Sequence, residues 1–327
     1  MFSWNIRVPL TKSDFYERDK LLNDILKSQR GGSICEEYPL VLGQDSFQFS
    51  YCMFRLDDLD KPCEMIAHLN YFPREIIDAS GKILGSIAMI ANVSTNEKYR
   101  GKGVMSEFIR IMQKRARLEG QKGILLWSDQ DLFYQNRGFN KVGHEYHFLI
   151  SRQALYDKLS KQKDFRTQIY EKIEMQETRL ISWSQEDLSK LIKARYPVSC
   201  TLSRSLDEYR KLMKIPNTYI AYPKGDLGRG FAIMNRGSDM LGAVHEWGAS
   251  DSSVLESLLL RLMFEREMEE ILLLAPFGLD HDLINRMSQI GSLDKNSLGY
   301  FWDTHGDQSP KIFDVTSGFF VWGMDSI

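Results

Sequence analysis

The sequence predicts an α/β chain made of two similar domains in tandem. Its 327 residues exceed the length at which a single hydrophobic core usually keeps growing. One order of elements, strand, helices, three strands, helix, strand, helix, strands, is read in each half, with a period far longer than that of a solenoid. The third observation is local. From Ile87 to Gly103 a β-rich apolar run meets a short polar turn, and Arg100-Gly101-Lys102-Gly103 then opens a segment of helical periodicity.

Each element of the first half has its own reason. Ile6 to Pro9 reads as a short strand, and Thr11 or Ser13 caps a helix carrying Phe15, Leu21, Leu22, Ile25 and Leu26, ended by Gly31 and Gly32. Phe47 to Leu56 and Glu64 to Phe72 read as strands around the charged turn from Asp57 to Pro62. Ser80-Gly81-Lys82 turns the chain into the strand that ends near Thr95. Beyond the glycines, Val104, Met105, Phe108, Ile109, Met112 and Ala116 follow the three-and-four rhythm of a helix that Gly120 ends. Gly123 to Trp127 is a buried strand, Asp129 to Asn136 a short helix and Tyr146 to Ile150 another strand.

Between Ser151 and Thr178 the chain turns polar and charged, which predicts a domain of residues 1–150, a linker over 151–178 and a second domain over 179–327. In the second half, a strand at 179–183 precedes helices at 185–195 and 203–214. Strands at 218–222, 230–235 and 241–247, a helix at 254–266, a strand at 271–274 and a helix at 280–289 follow. Terminal strands end at Phe319 to Trp322.

Composition narrows the function. Hydrophobic residues at 43%, charged residues at 26% and a formal net charge of −2 describe an ordinary soluble protein with no global pull toward nucleic acid or an acidic membrane. Cys35, Cys52, Cys63 and Cys200 lack the paired spacings of zinc or redox motifs. Those spacings lead us to expect a reduced cytoplasmic setting and no metal; the N-terminus, with no basic region followed by an apolar core, leads us to expect no signal peptide, and no apolar run is long enough to span a membrane. Phosphate-loop and dinucleotide glycine patterns are both missing, which argues against a nucleotide enzyme.

A strand, a glycine turn and a helix start together make an anion site. The first helical N–H groups lack intrahelical partners, the helix dipole favours negative charge there, and Gly101 and Gly103 let a ligand approach the backbone. Val93-Ser94-Thr95, then Tyr99-Arg100-Gly101-Lys102-Gly103-Val104, then Phe133-Tyr134-Gln135-Asn136-Arg137-Gly138-Phe139 resembles the GNAT superfamily, the GCN5-related N-acetyltransferases. The resemblance covers residues 1–150. It implies a mixed sheet flanked by helices that splays at its fourth and fifth strands, with acetyl-CoA as co-substrate wedged in the splay. Arg100 fills the first position of the family's Gln/Arg-x-x-Gly-x-Gly/Ala loop and Gly103 its first glycine, while Met105 stands where Gly or Ala is usual.

By that resemblance the backbone of Asn92, Val93, Ser94 and Thr95 pairs with the pantetheine arm and polarises the thioester carbonyl. Arg100, Gly101, Lys102, Gly103 and Val104 hold the pyrophosphate, with Met105 and Ser106 in the first helical turn; Lys102 reads equally as a solvated turn lysine. Tyr134, in its Tyr-x-x-x-Gly-Phe context, is the acid that protonates the departing thiolate, or else an aromatic packed at a strand-helix corner. Glu64, His68, Asp129, Glu36 and Glu37 are the candidates for the base. The expected reaction is direct attack of a primary amine, on a small molecule, peptide or protein, upon acetyl-CoA in a ternary complex. The alternative is an acyl-CoA-binding or sensing protein without turnover.

The second half is expected to be a degenerate copy. Gly248-Ala249-Ser250-Asp251-Ser252-Ser253 has no arginine and puts an acid where phosphate would approach. In this family such a copy shapes the acceptor pocket or an interface. Strand alternation sends His245 and Trp247 to one face and Glu246 to the other, where Glu246 reads either as a ligand for a cationic acceptor or as a satisfied buried carboxylate.

Overall fold

The structure, a computed structural model, describes residues 3–27, 31–306 and 318–325. In chain order the first elements are β1 (Trp4–Arg7), α1 (Lys12–Leu22), α2 (Ile34–Glu37), α3 (Pro39–Leu42), β2 (Ser50–Leu56), β3 (Pro62–Asp78) and β4 (Ile83–Thr95). There follow α4 (Val104–Leu118), β5 (Gly123–Leu126), α5 (Asp131–Gln135), β6 (Asn140–Val142), β7 (Glu145–Ser151), α6 (Arg152–Leu159), α7 (Phe165–Tyr170) and β8 (Ile173–Glu177). The rest comprises α8 (Gln185–Ala194), β9 (Cys200–Leu202), α9 (Leu206–Leu212), β10 (Tyr219–Pro223), β11 (Gly230–Arg236) and β12 (Asp239–Ala249). Then come α10 (Ser252–Glu265), β13 (Glu270–Pro276), α11 (His281–Ser288), β14 (Gly291–Asn296) and β15 (Gly299–Asp303).

Residues 3–142 with 299–306 form one compact unit, and 143–298 with 318–325 the other. The first sheet runs β1, β2, β3, β4, β5, β15, β6; the second runs β8, β10, β11, β12, β13, β7, β14. The two orders correspond position by position, as the recurring element pattern predicts. In each, one parallel pair, β4 with β5 or β12 with β13, sits among antiparallel neighbours. The sixth place is exchanged: β15 completes the first sheet and β7 the second.

That exchange moves the domain boundaries read from the sequence. Residues 145–150, expected in the first domain, belong to the second sheet. Phe148 and Ile150 are buried there while Leu149 is exposed, and such alternation tells which face is covered without telling which sheet covers it. Residues 151–178, expected as a linker, supply α6, α7 and β8 to the second unit. Their apolar signal is one pair per helix, Leu155 with Leu159 and Phe165 with Ile169, diluted among charges. The strand expected at 179–183 is replaced by β8 as the edge strand, against β10. Phe319 to Trp322 is buried but joins no sheet; it makes one bridge, Phe319 with Cys200.

In the first unit, α1 starts on a capping box: the Thr11 hydroxyl accepts from the Asp14 N–H at 3.1 Å, and the Asp14 carboxylate accepts from the Thr11 N–H at 3.0 Å. On the other face of the sheet α4 buries Val104, Met105, Phe108, Ile109, Met112 and Ala116, the stripe its periodicity predicts. These side chains share one core with Tyr51, Leu69, Ile124, Tyr134 and the β15 aromatics Tyr300 and Trp302. Burial of each large apolar side chain contributes roughly 1.5–3 kcal/mol. Among the described residues no helix is long and apolar enough to cross a membrane.

Candidate functional site

β4 and β5 are parallel, yet they pair only at Ala88 with Ile124 and Met89 with Leu125. Beyond Met89 the strands part. β4 is also bulged there: Asn70 on β3 stands opposite Ala91, and His68 opposite Ser94, so Asn92 and Val93 face no register partner. Asn92 adopts φ of 48°, a left-handed conformation that asparagine tolerates better than most residues. The backbone of Asn92 and Val93 thus lies outside the ladder where the resemblance expects the pantetheine arm. Ser94 is buried, its hydroxyl without a hydrogen-bond partner, and Thr95 ends the strand opposite Ala67.

A buried polar chain holds the bulge. The Asn92 side-chain amide donates to the Asn70 Oδ1 at 2.9 Å, and the Asn70 amide donates to the carbonyls of Val41 at 3.0 Å and Phe49 at 3.2 Å. The Asn92 carbonyl lies 3.0 Å from His68 Nδ1, and His68 Nε2 lies 2.8 Å from the Ser50 hydroxyl. A carbonyl only accepts, so Nδ1 carries the proton and Nε2 accepts from Ser50. Burial drives the His68 pKa down to about 3, the Asn92 carbonyl opposing and the Arg18 guanidinium adding to the effect.

A neutral buried histidine makes stability pH dependent. Below its ordinary pKa of 6.5 the unfolded chain takes a proton that the native state refuses, so stability is lost as pH falls from 6.5 toward 3. Linkage caps the His68 contribution at about 5 kcal/mol. We expect His68→Asn to flatten this part of the profile of unfolding free energy against pH, measured by urea denaturation. Identical slopes in the two proteins would contradict the neutral assignment.

After β4, Asn96 caps a short turn over Glu97–Tyr99, and Gly101 and Gly103 follow at φ of 74° and 78°. Gly103 is the residue before α4 and makes no side-chain cap, so no carboxylate or hydroxyl of its own covers the first helical N–H groups. A Cβ at either glycine would meet nothing within 4 Å, leaving open space over this backbone. The cradle therefore fits a pyrophosphate. Arg100 donates to the Thr95 carbonyl at 3.4 Å and approaches Glu97 at 3.6 Å, while the Lys102 ammonium lies 5.1 Å from the Tyr99 ring centroid. Val104 and Met105 point into the core, which explains how methionine stands in the glycine-or-alanine position of the loop. Its side chain lies beneath the helix and the N–H stays at the helix start.

The motif around Tyr134 is a helix end. α5 follows β5, Gly138 takes φ of 81°, and the Phe139 N–H returns to the Tyr134 carbonyl at 3.2 Å. Tyr134 is 5% exposed and packs edge-on to Phe133 and Phe139 and tilted against Tyr300. Burial pushes its hydroxyl up to about 12, opposed by Arg137 and by a hydrogen bond with Ser128, with Asp129 adding to the rise. Val93, Tyr99, Val104, Met105, Phe133 and Tyr134 meet in one cluster. Loop, bulge and phenol thus share the C-terminal ends of the parallel pair.

Arg137 is the residue that sequence reasoning passed over. Its guanidinium stacks on the Phe133 ring, 3.6 Å from the centroid, and donates to the Ser106 hydroxyl in the first turn of α4. A cation is thereby fixed beside the helix start. The motif had shown Arg137 only as a spacer before Gly138.

The base candidates separate by environment. Both ring nitrogens of His68 are engaged, and Glu37 is buried in an ion pair with Lys27. Glu64 accepts from the Tyr99 hydroxyl at 2.6 Å and lies 3.5 Å from Arg55. Glu36 and Asp129 are exposed.

In the second unit the corresponding place is filled. β12 and β13 pair at Ala243 with Leu272 and Val244 with Leu273, and beyond them the Trp247 indole donates to the Leu274 carbonyl at 2.8 Å. The Tyr196 ring lies 4.8 Å from that of Trp247. The α10 start is already capped by Asp251, whose carboxylate accepts from the Val254 N–H at 3.0 Å. Glu246 is fully buried, accepting from Arg204 at 2.8 and 3.0 Å and from the Tyr209 hydroxyl at 2.5 Å, and Arg204 also binds Asp325. The buried carboxylate is the one of its two readings that the structure supports. His245 is the extra residue of a bulge, since Ile233 pairs with Glu246 and Met234 with Val244.

Two mixed sheets, each opening along one parallel strand pair and flanked by helices, give the chain the fold of the GCN5-related N-acetyltransferases. A GCN5-related N-acetyltransferase from Kribbella flavida aligns over 92% of this chain and 70% of its own, with a TM-score of 0.57 and 14% identity. A putative acetyltransferase from Pyrococcus horikoshii aligns over 99% and 96%, with a TM-score of 0.56 and 13% identity. Saccharomyces cerevisiae N-myristoyltransferase, in crystals with myristoyl-CoA, aligns over 93% and 79%, with a TM-score of 0.54 and 11% identity. No protein-family model matches the sequence, and no curated protein matches it significantly.

Proposed function

We propose that this chain is an acyl-CoA-dependent N-acyltransferase that moves an acetyl group from acetyl-CoA to an amine, with the first unit carrying the chemistry. The observation behind this is the meeting of an uncapped helix start and a buried phenol at the ends of β4 and β5. The neighbours named for N-acetyl and N-myristoyl transfer support a coenzyme A thioester as donor.

On this reading the pyrophosphate lies over Gly101 to Ser106 with Arg100, Lys102 and Arg137 around it, and the pantetheine arm pairs with β4 near Asn92 to Thr95. The amine nitrogen attacks the thioester carbon. Charge collects on the oxygen, where backbone N–H groups at the bulge stabilise it. As the carbon–sulfur bond breaks, the Tyr134 hydroxyl protonates the thiolate, and the amine proton passes to a carboxylate, directly or through water. Asp129 is close enough to Tyr134 to raise its pKa, which makes it the first carboxylate to substitute. The second unit, with its helix start self-capped and its splay filled, binds no coenzyme A.

Calorimetric titration with acetyl-CoA, followed by thiol release against a panel of amines, tests the proposal. Absence of binding at millimolar acetyl-CoA would refute it. For Tyr134→Phe we expect turnover to fall by about 100-fold with acetyl-CoA affinity unchanged. Because burial holds this phenol protonated until about pH 12, wild-type turnover should rise with pH as the amine deprotonates and show no alkaline decline below about pH 10. Full turnover in Tyr134→Phe would remove the acid assignment alone.

A further inference from the structure

We propose that His68 is a positioning residue that aims the Val93 N–H at the thioester oxygen; this rests on the acyl-transfer reading of the first unit. β3 lies on one side of β4 and β5 on the other. At the bulge neither neighbour pairs with the Asn92–Val93 peptide: the β3 register skips it and the β5 pairing has ended at Met89. What fixes that peptide plane is a side chain. The Asn92 carbonyl is held by His68 Nδ1–H at 3.0 Å. In a planar trans peptide the N–H of the next residue points opposite to the carbonyl. The Val93 N–H is therefore directed away from His68 and from the α1 face of the sheet.

The grip has a defined polarity. Arg18, 2% exposed, donates to the Leu42 carbonyl at 3.1 Å and lies 3.5 Å from the Ser50 hydroxyl. Ser50 donates to His68 Nε2, and His68 donates to the bulge carbonyl. With Nε2 accepting, the ring has one proton and one place for it. The Asn92 side chain, tied to Asn70, clamps the same residue from a second direction and holds its left-handed backbone. A histidine that looks like a base in the sequence thus serves as a fixed donor. It shapes the oxyanion site from the far side of the peptide and touches no reacting atom.

The test separates the two ring nitrogens. Asparagine at position 68 can place an amide donor near Nδ1 and keep the Asn92 contact; glutamine reaches toward Ser50 and loses it. We expect His68→Gln to lower kcat by about 10- to 100-fold, with KM and the calorimetric Kd for acetyl-CoA unchanged, and His68→Asn to stay close to wild type. The spectroscopic counterpart is the carbonyl stretch of acetyl-CoA carrying carbon-13 at C1. Bound to wild type and His68→Asn it should shift to lower frequency, and bound to His68→Gln it should return toward its solution value. Equal losses in both variants, or full turnover and an unaltered stretch in His68→Gln, would overturn the proposal. Nitrogen-15 NMR of the wild-type histidines supplies a reading that needs no variant: a neutral ring protonated on Nδ1 supports the assignment, and one protonated on Nε2 overturns it. A wild-type protein that binds acetyl-CoA while failing these tests loses the His68 role alone; one that binds none loses the acyl-transfer reading as well.

Discussion

Gly103→Asp should abolish acetyl-CoA binding and leave the fold standing. Gly103 sits at φ of 78° directly before α4, and a Cβ there meets nothing within 4 Å, so the fold loses only the strain of a left-handed aspartate. That strain is of order 1 kcal/mol. The cost to the ligand is larger. A carboxylate about 4 Å from a phosphate oxygen repels it by about 4 kcal/mol at a surface-like dielectric, enough to weaken binding by about 1,000-fold. Calorimetry measures the loss and circular dichroism the intact fold. Binding within tenfold of wild type would show that the anion lies elsewhere.

Residues 1–150 expressed alone should fail to form a stable domain. They carry the glycine loop and Tyr134 but lack β15, which lies between β5 and β6 and buries Tyr300, Phe301 and Trp302. Gly123 is cut to that strand: a Cβ would stand 2.2 Å from the Phe301 ring and 2.3 Å from the Trp302 carbonyl. Losing three buried aromatics at roughly 2–3 kcal/mol each consumes most of a typical stability of 5–15 kcal/mol and opens the edge of β5. A broad, non-cooperative thermal transition and aggregation on gel filtration are expected. Sharper melting on adding a peptide of residues 299–306 would identify the missing strand. A soluble fragment with a cooperative transition would mean that β7 takes the place of β15.

The parts of the site that follow from local spacing were legible. Val104 to Ala116 announces its buried stripe, Gly101 and Gly103 adopt the positive φ their turn demands, and Gly138 and Phe139 return the chain onto Tyr134. What stayed hidden depends on partners distant in sequence. His68 resembles a base until Ser50 and Asn92 claim its two nitrogens, and Glu246 an acceptor ligand until Arg204 and Tyr209 enclose it. Arg137 reaches Ser106, and nothing in the motif itself marks that contact. The exchange of β7 and β15 left no mark in hydropathy, because the pattern along a strand tells which of its faces are covered and not which sheet covers them.

The placement of β15 also sets a schedule for synthesis. Tyr300 pairs with Leu126, about 170 residues earlier in the chain. A ribosome adding roughly 5–20 residues per second leaves β5 waiting some ten to thirty seconds for its neighbour. Through that interval the glycine loop and Tyr134 exist in a sheet with an open side, prone to pairing with other chains. The first unit, although its glycine loop and Tyr134 are made early, is closed only once β15 has emerged, so on the proposed reading the nascent chain acquires acyl-CoA binding no sooner than that strand.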